Sequence, residues 1–123
     1  MDKETVELRV PSKPDYVSVV RLTTSAIASN ADLNIDDIDD IKVAIAEACI
    51  NALDKSEEIY IKYEILQDKL IIFVKNVSEK ISEDISDKKE RELGILIIKS
   101  LMDEVEFTGD GVKLIKNIED GIK

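Results

Sequence analysis

The apolar residues of this chain recur with two different periods, and the order of these periods limits the fold that the chain can adopt. Alternation at every second residue from Thr5 to Val10 is typical of a half-buried strand, whereas spacing of three to four from 15 to 29 is typical of an amphipathic helix. The predicted order is a strand, two helices, two strands, a helix and two strands, over residues 4–10, 15–29, 35–55, 58–66, 69–76, 93–102, 105–107 and 112–118. This order predicts an α+β fold, a two-layer α/β sandwich in which the helices pack on one mostly antiparallel sheet.

Local signals define several of the boundaries. Asn34 is a suitable N-cap for the long second helix, and the pair Gln67-Asp68 suits a two-residue turn between strands. Gly109-Asp110-Gly111 marks the turn of a closing hairpin. Residues 77–91 are highly charged with few apolar residues, so we expect a mobile surface segment there.

Composition excludes several classes of protein. A length of 123 residues with 44% apolar content predicts one domain, spanning 1–123. No apolar run approaches the ~20 residues that span a bilayer, and the start is unlike a secretion signal, so we expect a cytoplasmic protein. Cys49 is the single cysteine and histidine is absent, which excludes an internal disulfide, the usual Cys/His zinc sites and histidine-based triads.

The formal net charge of −10 bears on the choice of partner. It repels phosphate backbones, so direct binding of nucleic acid is not expected. An acidic surface favours a basic protein partner, such as a DNA-binding transcription factor. The alternative, that the charge only maintains solubility, stays open.

Two positions combine residue types that could serve chemistry. Glu47 and Asn51 are four residues apart, so both project from one side of the second helix, roughly opposite its main apolar face. Their apolar neighbours suggest the floor of a pocket, although two polar residues on an ordinary helix fit the same spacing. Gly94 lies near the beginning of the last helix, where backbone N–H groups can hold phosphate, but most such glycines are structural.

The segment Glu47-Ala48-Cys49-Ile50-Asn51-Ala52 resembles the first nucleotide-binding motif of the anti-sigma-factor serine kinases, which belong to the histidine kinase-like ATPase superfamily. The resemblance extends from about Val6 to Ile118 and implies the Bergerat type of ATPase fold. It also implies ATP and Mg²⁺ as cofactors, with Glu47 as the general base that activates a serine hydroxyl and Asn51 as the residue that holds Mg²⁺.

The same resemblance implies protein partners. They are a sigma factor and an anti-anti-sigma protein of the STAS type, which is the usual kinase substrate, and the chain would form a homodimer. By position, Arg21 in the first helix would face a protein partner.

The second half of the chain departs from the motifs of this family. Asn76-Val77-Ser78 stands where the family has an adenine-reading Asp followed two residues later by Gly. The lid retains one glycine in Arg91-Glu92-Leu93-Gly94, and Gly111-Val112-Lys113 replaces the usual Gly-Thr. By position, the resemblance implies nucleotide-binding roles for Asn51, Asn76, Ser78, Leu93 and Gly94. Together the departures predict a regulatory binding protein with weakened or lost ATP binding, while an active serine kinase and a purely structural or dimerisation module remain the alternatives.

Overall fold

The computed structural model describes residues 3–82 and 86–118 of the chain. Its strands and helices follow the predicted order, with one 3-10 turn at Pro14–Tyr16 before the first helix. The elements are β1 (Glu4–Pro11), α1 (Val17–Asn30), α2 (Ile35–Ala52), β2 (Glu58–Ile65), β3 (Lys69–Lys75), α3 (Lys88–Leu101), β4 (Glu104–Phe107) and β5 (Gly111–Asn117).

The five strands form one sheet in the order β1-β2-β3-β5-β4, and the four strand pairings are antiparallel. The helices pack on this sheet, and α2 packs against both α1 and α3. This arrangement confirms the predicted α+β sandwich. Within the described residues, no helix combines the length and the apolar character that crossing a bilayer requires.

The two faces of the sheet differ because side chains alternate along each strand. In β2, Ile61 and Tyr63 are fully buried, and they pair with Val74 and Ile72 of β3, which are also fully buried. The hydroxyl groups of Tyr63 and Thr24 lie 2.7 Å apart, so a buried hydrogen bond joins the sheet to α1. The helices therefore cover the face that carries these residues.

Helix α2 begins as predicted and ends early. The Asn34 side chain accepts a hydrogen bond from the Asp37 N–H at 2.8 Å, which confirms the N-cap. The helix ends at Ala52 rather than near Lys55, because Leu53 adopts an extended ψ of 144° and Asp54 a positive φ of 67°.

Helix α3 begins at Lys88, five residues before the predicted start at Leu93. The expectation of a mobile surface segment is therefore wrong for residues 88–91, which form the first turn of this helix, whereas 83–85 lie outside the described residues. Ion pairs at helical spacing support this turn, with Arg91 Nε 3.0 Å from the Asp87 carboxylate and Lys88 Nζ 3.5 Å from that of Glu92.

Candidate nucleotide-binding site

Helix α2 lies between α1 and α3 and also packs on the sheet. The predicted face of Ile41, Ile45 and Cys49 is fully buried. Asn51 is also buried, with 2% of its surface exposed, so it does not lie on an open side of the helix. Glu47, one turn earlier, is partly exposed.

Glu47 lies directly against Gly94 of α3. A Cβ atom placed on Gly94 would lie only 2.6 Å from Glu47 Oε1, so the glycine permits α3 to approach the carboxylate closely. Gly94 is the seventh residue of α3 rather than part of its first turn, so its N–H is not one of the unpaired donors of a helix start. This corrects the expectation of a helix-start glycine, and its contact with nucleotide stays a prediction.

Asn51 is bound to the backbone of Ser78, which follows β3. Its Nδ2 donates to the Ser78 carbonyl oxygen and its Oδ1 accepts from the Ser78 N–H, both at 3.0 Å. Oδ1 also accepts a hydrogen bond from Lys55 Nζ at 3.0 Å. Two of the predicted site residues are thus joined directly, across 27 positions of sequence.

Asn76 turns the chain immediately after β3. It has a positive φ of 66°, which Asn tolerates better than most residues, and its N–H donates to the Asp110 carbonyl oxygen at 2.8 Å. The turn places Val77 in the core and presents Ser78 to Asn51. The structure therefore gives Asn76 a backbone role, and its contact with adenine stays a prediction.

Leu93 and Glu92 both lie on exposed parts of α3. Leu93 is 56% exposed and takes no part in the hydrophobic core. Glu92 forms an ion pair with Lys88. Contact of Leu93 with nucleotide stays a prediction.

Arg21 lies on α1, away from the residues that join α2, α3 and Ser78. It is exposed, and so are its neighbours Val19 and Leu22, the latter by 70%. This exposed part of α1 thus combines apolar side chains with a guanidinium group. It is a second surface, distinct from the Glu47–Asn51 region.

Two basic residues contact Asn51 and were not predicted from the sequence. Lys55 Nζ bonds to Asn51 Oδ1 and lies 3.4 Å from Ser78 Oγ, and Arg91 Nη1 donates to the Asn51 carbonyl oxygen at 3.2 Å. The four-residue spacing from Asn51 to Lys55 was a usable signal. Arg91 gave none, because its contact with Asn51 spans 40 positions and depends on how α3 packs.

The surroundings of Lys55 disfavour its charged form. Partial burial lowers the pKa of Lys55, and the nearby positive charge of Arg91 lowers it further. Arg91 is itself compensated by Asp87, whose two carboxylate oxygens accept from Nε at 3.0 and 3.1 Å. The region around Asn51 is therefore locally basic in a chain that is acidic as a whole.

The donor set at Asn51 does not fit Mg²⁺ in this arrangement. An amide oxygen has two lone pairs, and Oδ1 already accepts from the Ser78 N–H and the Lys55 ammonium group. In the described ranges, 3–82 and 86–118, no three His, Cys, Asp or Glu side chains are placed to hold a metal ion together. A divalent cation would have to displace Lys55 before it could bind this oxygen.

Comparison with known proteins agrees with the fold. Residues 10–116 match the family model of the histidine kinase-like ATPase domain. The chain is 36% identical to a serine-protein kinase RsbW of Halalkalibacterium halodurans, over 87% of this chain and 77% of that protein. It is 31% identical to the protein of the same name from Bacillus subtilis (96% and 76% covered) and 35% to that from Staphylococcus aureus (84% and 78%). The chain therefore belongs to the histidine kinase-like ATPase family, in the group of anti-sigma-factor serine kinases that contains these proteins, as the resemblance of residues 47–52 predicted.

Proposed function

We propose that this chain is a cytoplasmic, single-domain regulatory protein that binds a sigma factor, an anti-anti-sigma protein of the STAS type, or both, and that it binds ATP more weakly than an intact kinase does. The observation that carries the proposal is that Ser78 and Lys55 of the same chain already form hydrogen bonds with the Asn51 carboxamide. All the predicted helices and strands are nevertheless present around it. Protein binding depends on other residues and can persist where the nucleotide site is weakened.

The exposed part of α1 supports a protein-binding role. Leu22 and Val19 are exposed by 70% and 40%, and Arg21 lies between them in sequence. Apolar side chains beside an arginine are typical of the central part of protein interfaces. The net charge of −10 favours a basic partner, which a DNA-binding sigma factor would be.

Binding to candidate partners tests this proposal. The chain is immobilised, and the sigma factors and STAS-domain proteins encoded in the same genome are passed over it in a biolayer experiment. We expect Arg21→Ala to weaken binding by about tenfold or more, as for an interface arginine. Lys89→Ala, which removes an exposed cation from α3, serves as the control. Absence of binding to every candidate contradicts the proposal.

An active serine kinase is the second candidate, and the position of Glu47 favours it. Glu47 is partly exposed, so a substrate hydroxyl can approach its carboxylate from the side away from Gly94. The relatives are also named serine-protein kinases. Incubation with labelled ATP and a STAS-domain partner decides between the candidates: transfer that Glu47→Gln abolishes, with partner binding retained, establishes the kinase.

We further propose that the chain forms a homodimer, as the family resemblance implies. The sheet face away from the helices carries Tyr60 and Phe73, partly exposed, with ring centroids 6.4 Å apart. A shallow cavity of about 320 Å³ lies on this face between them and Arg9. Light scattering after size-exclusion chromatography should give twice the monomer mass, and the monomer mass at micromolar concentration would contradict this part of the proposal.

A further inference from the structure

Lys55 carries a positive charge that the described part of the chain does not neutralise. Its Nζ contacts two neutral oxygen atoms, Asn51 Oδ1 at 3.0 Å and Ser78 Oγ at 3.4 Å. Among residues 3–82 and 86–118, no carboxylate lies within 4.0 Å of this ammonium group. Arg91 differs, because Asp87 compensates its charge.

The ammonium group also occupies a particular place. It binds the oxygen of Asn51 that would otherwise be available to a divalent cation, and the second lone pair of that oxygen is taken by the Ser78 N–H. A lysine ammonium is a compact point charge that binds phosphate well. Lys55 therefore combines two properties of a bound metal ion, a bond to the Asn51 oxygen and an uncompensated positive charge.

We propose that Lys55 is an internal substitute for the metal ion, so that the surface beside Lys55 and Arg91 binds the phosphate groups of a nucleoside di- or triphosphate in their metal-free form. The ligand class is a nucleotide polyphosphate without Mg²⁺. This inference rests on the proposed function, specifically on the retention of weak nucleotide binding. A single positive charge in place of the two of Mg²⁺ also gives a reason for the weakness.

The location of Lys55 is consistent with a site for an anion. Lys55 is exposed to solvent, and Arg91 contacts the same residue, Asn51, so an anion in solution can approach both cations. A purely structural role also exists, because Lys55 lies three residues beyond the end of α2, where a cation interacts favourably with the helix dipole.

Nucleotide titrations in a calorimeter separate these roles. ATP is titrated into the wild-type chain, Lys55→Met and the control Lys13→Met, each once with EDTA and once with excess Mg²⁺. For the wild type we expect dissociation constants that agree within about threefold, since the chain supplies its own cation. For Lys55→Met we expect about tenfold or greater weakening in EDTA, from loss of a charge-assisted hydrogen bond, and partial recovery with Mg²⁺ because the Asn51 oxygen is released.

Three results overturn the inference. They are loss of wild-type binding on chelation, equal binding by wild type and Lys55→Met in EDTA, and no ATP binding in any arm. A lower melting temperature for Lys55→Met without a change in affinity assigns Lys55 to the structural role. Partner binding is measured separately on the same proteins. If the role of Lys55 fails these tests while sigma-factor binding is intact, the regulatory role stands. If Lys55 passes them while no partner binds, only the regulatory role is contradicted.

Discussion

At the scale of single residues, two glycines make close approaches of different kinds. A Cβ on Gly94 would meet a carboxylate oxygen of Glu47, the far end of a flexible side chain. A Cβ on Gly111 would overlap the backbone carbonyl of Val74, in the neighbouring strand β3. A side chain can rotate away, whereas a paired strand cannot move without loss of its hydrogen bonds.

We therefore predict opposite outcomes for the two alanine variants in urea unfolding. Gly111→Ala should lower the free energy of unfolding by about 1–3 kcal/mol, through overpacking against backbone. Gly94→Ala should stay within about 1 kcal/mol of the wild type or exceed it, because alanine favours the helix. A larger loss at Gly94 would mean that the contact between Glu47 and α3 is rigid.

Asn76 offers a prediction about nucleotide affinity. The family resemblance implies an aspartate at this position that accepts a hydrogen bond from the adenine amino group. Aspartate tolerates the positive φ of 66° as asparagine does, and its hydrogen bonds are stronger because it is charged. Asn76→Asp should tighten ATP binding by about tenfold in calorimetry. Gln67→Glu adds the same charge in the distant β2–β3 turn, and an equal gain there would assign the effect to net charge.

At the scale of elements, Lys116 joins two helices to the sheet. Its side chain, 7% exposed, lies on the helix face of β5. Nζ donates to the Leu101 carbonyl oxygen at the end of α3 at 2.7 Å. It also lies 3.8 Å from the carboxylates of Asp37 and Asp40 in the first two turns of α2. One cation therefore links a helix beginning, a helix end and a strand.

Removal of this cation should be costly. Lys116→Met leaves the Leu101 carbonyl without this donor and leaves Asp37 and Asp40 to repel each other. We expect a loss of about 2 kcal/mol in the free energy of unfolding, limited by the partial exposure of both carboxylates. Lys113→Met, on the other face of β5, should change it by less than about 0.5 kcal/mol. Equal effects of the two variants would contradict the linking role.

At the scale of the whole molecule, two buried acids make stability depend on pH. Burial raises the pKa of Cys49 to about 12 and that of Tyr63 to about 12, from ordinary values of 9.0 and 10.0. In the unfolded chain both groups lose their protons first, so the unfolded state binds fewer protons as the pH rises above about 9. Stability should therefore be fully present below pH 9 and decline above it.

This decline can be measured as the free energy of unfolding in urea at pH 7, 9 and 10.5. We expect the free energy of unfolding to fall by up to about 1.4 kcal/mol per pH unit for each ionising group. Cys49→Ala should begin less stable, because it leaves a small cavity, but should show a shallower decline above pH 9. A parallel decline in both proteins would show that Cys49 does not carry the effect.

The sequence by itself determined the order of strands and helices and several of their ends. Apolar periodicity acts through neighbouring residues, as in the alternation of β1, and the cap of α2 needs only Asn34 and Asp37. The sequence-based prediction was wrong for the beginning of α3, because the charged residues there give no apolar periodicity and ion pairs support the first turn. Four-residue spacing also places Glu47 and Asn51 on one side of a helix, whereas their likeness to a nucleotide-binding motif rests on the family resemblance.

Only the tertiary structure decided what these residues contact. The bonds from Asn51 to Ser78, and the approach of Gly94 to Glu47, join segments far apart in the chain. They depend on how α3 and the end of β3 pack against α2, and no local pattern encodes that geometry. The same packing places Arg91 beside Lys55 and so creates a basic region at Asn51. Residue spacing specifies which groups share one element, whereas packing between elements specifies which groups meet.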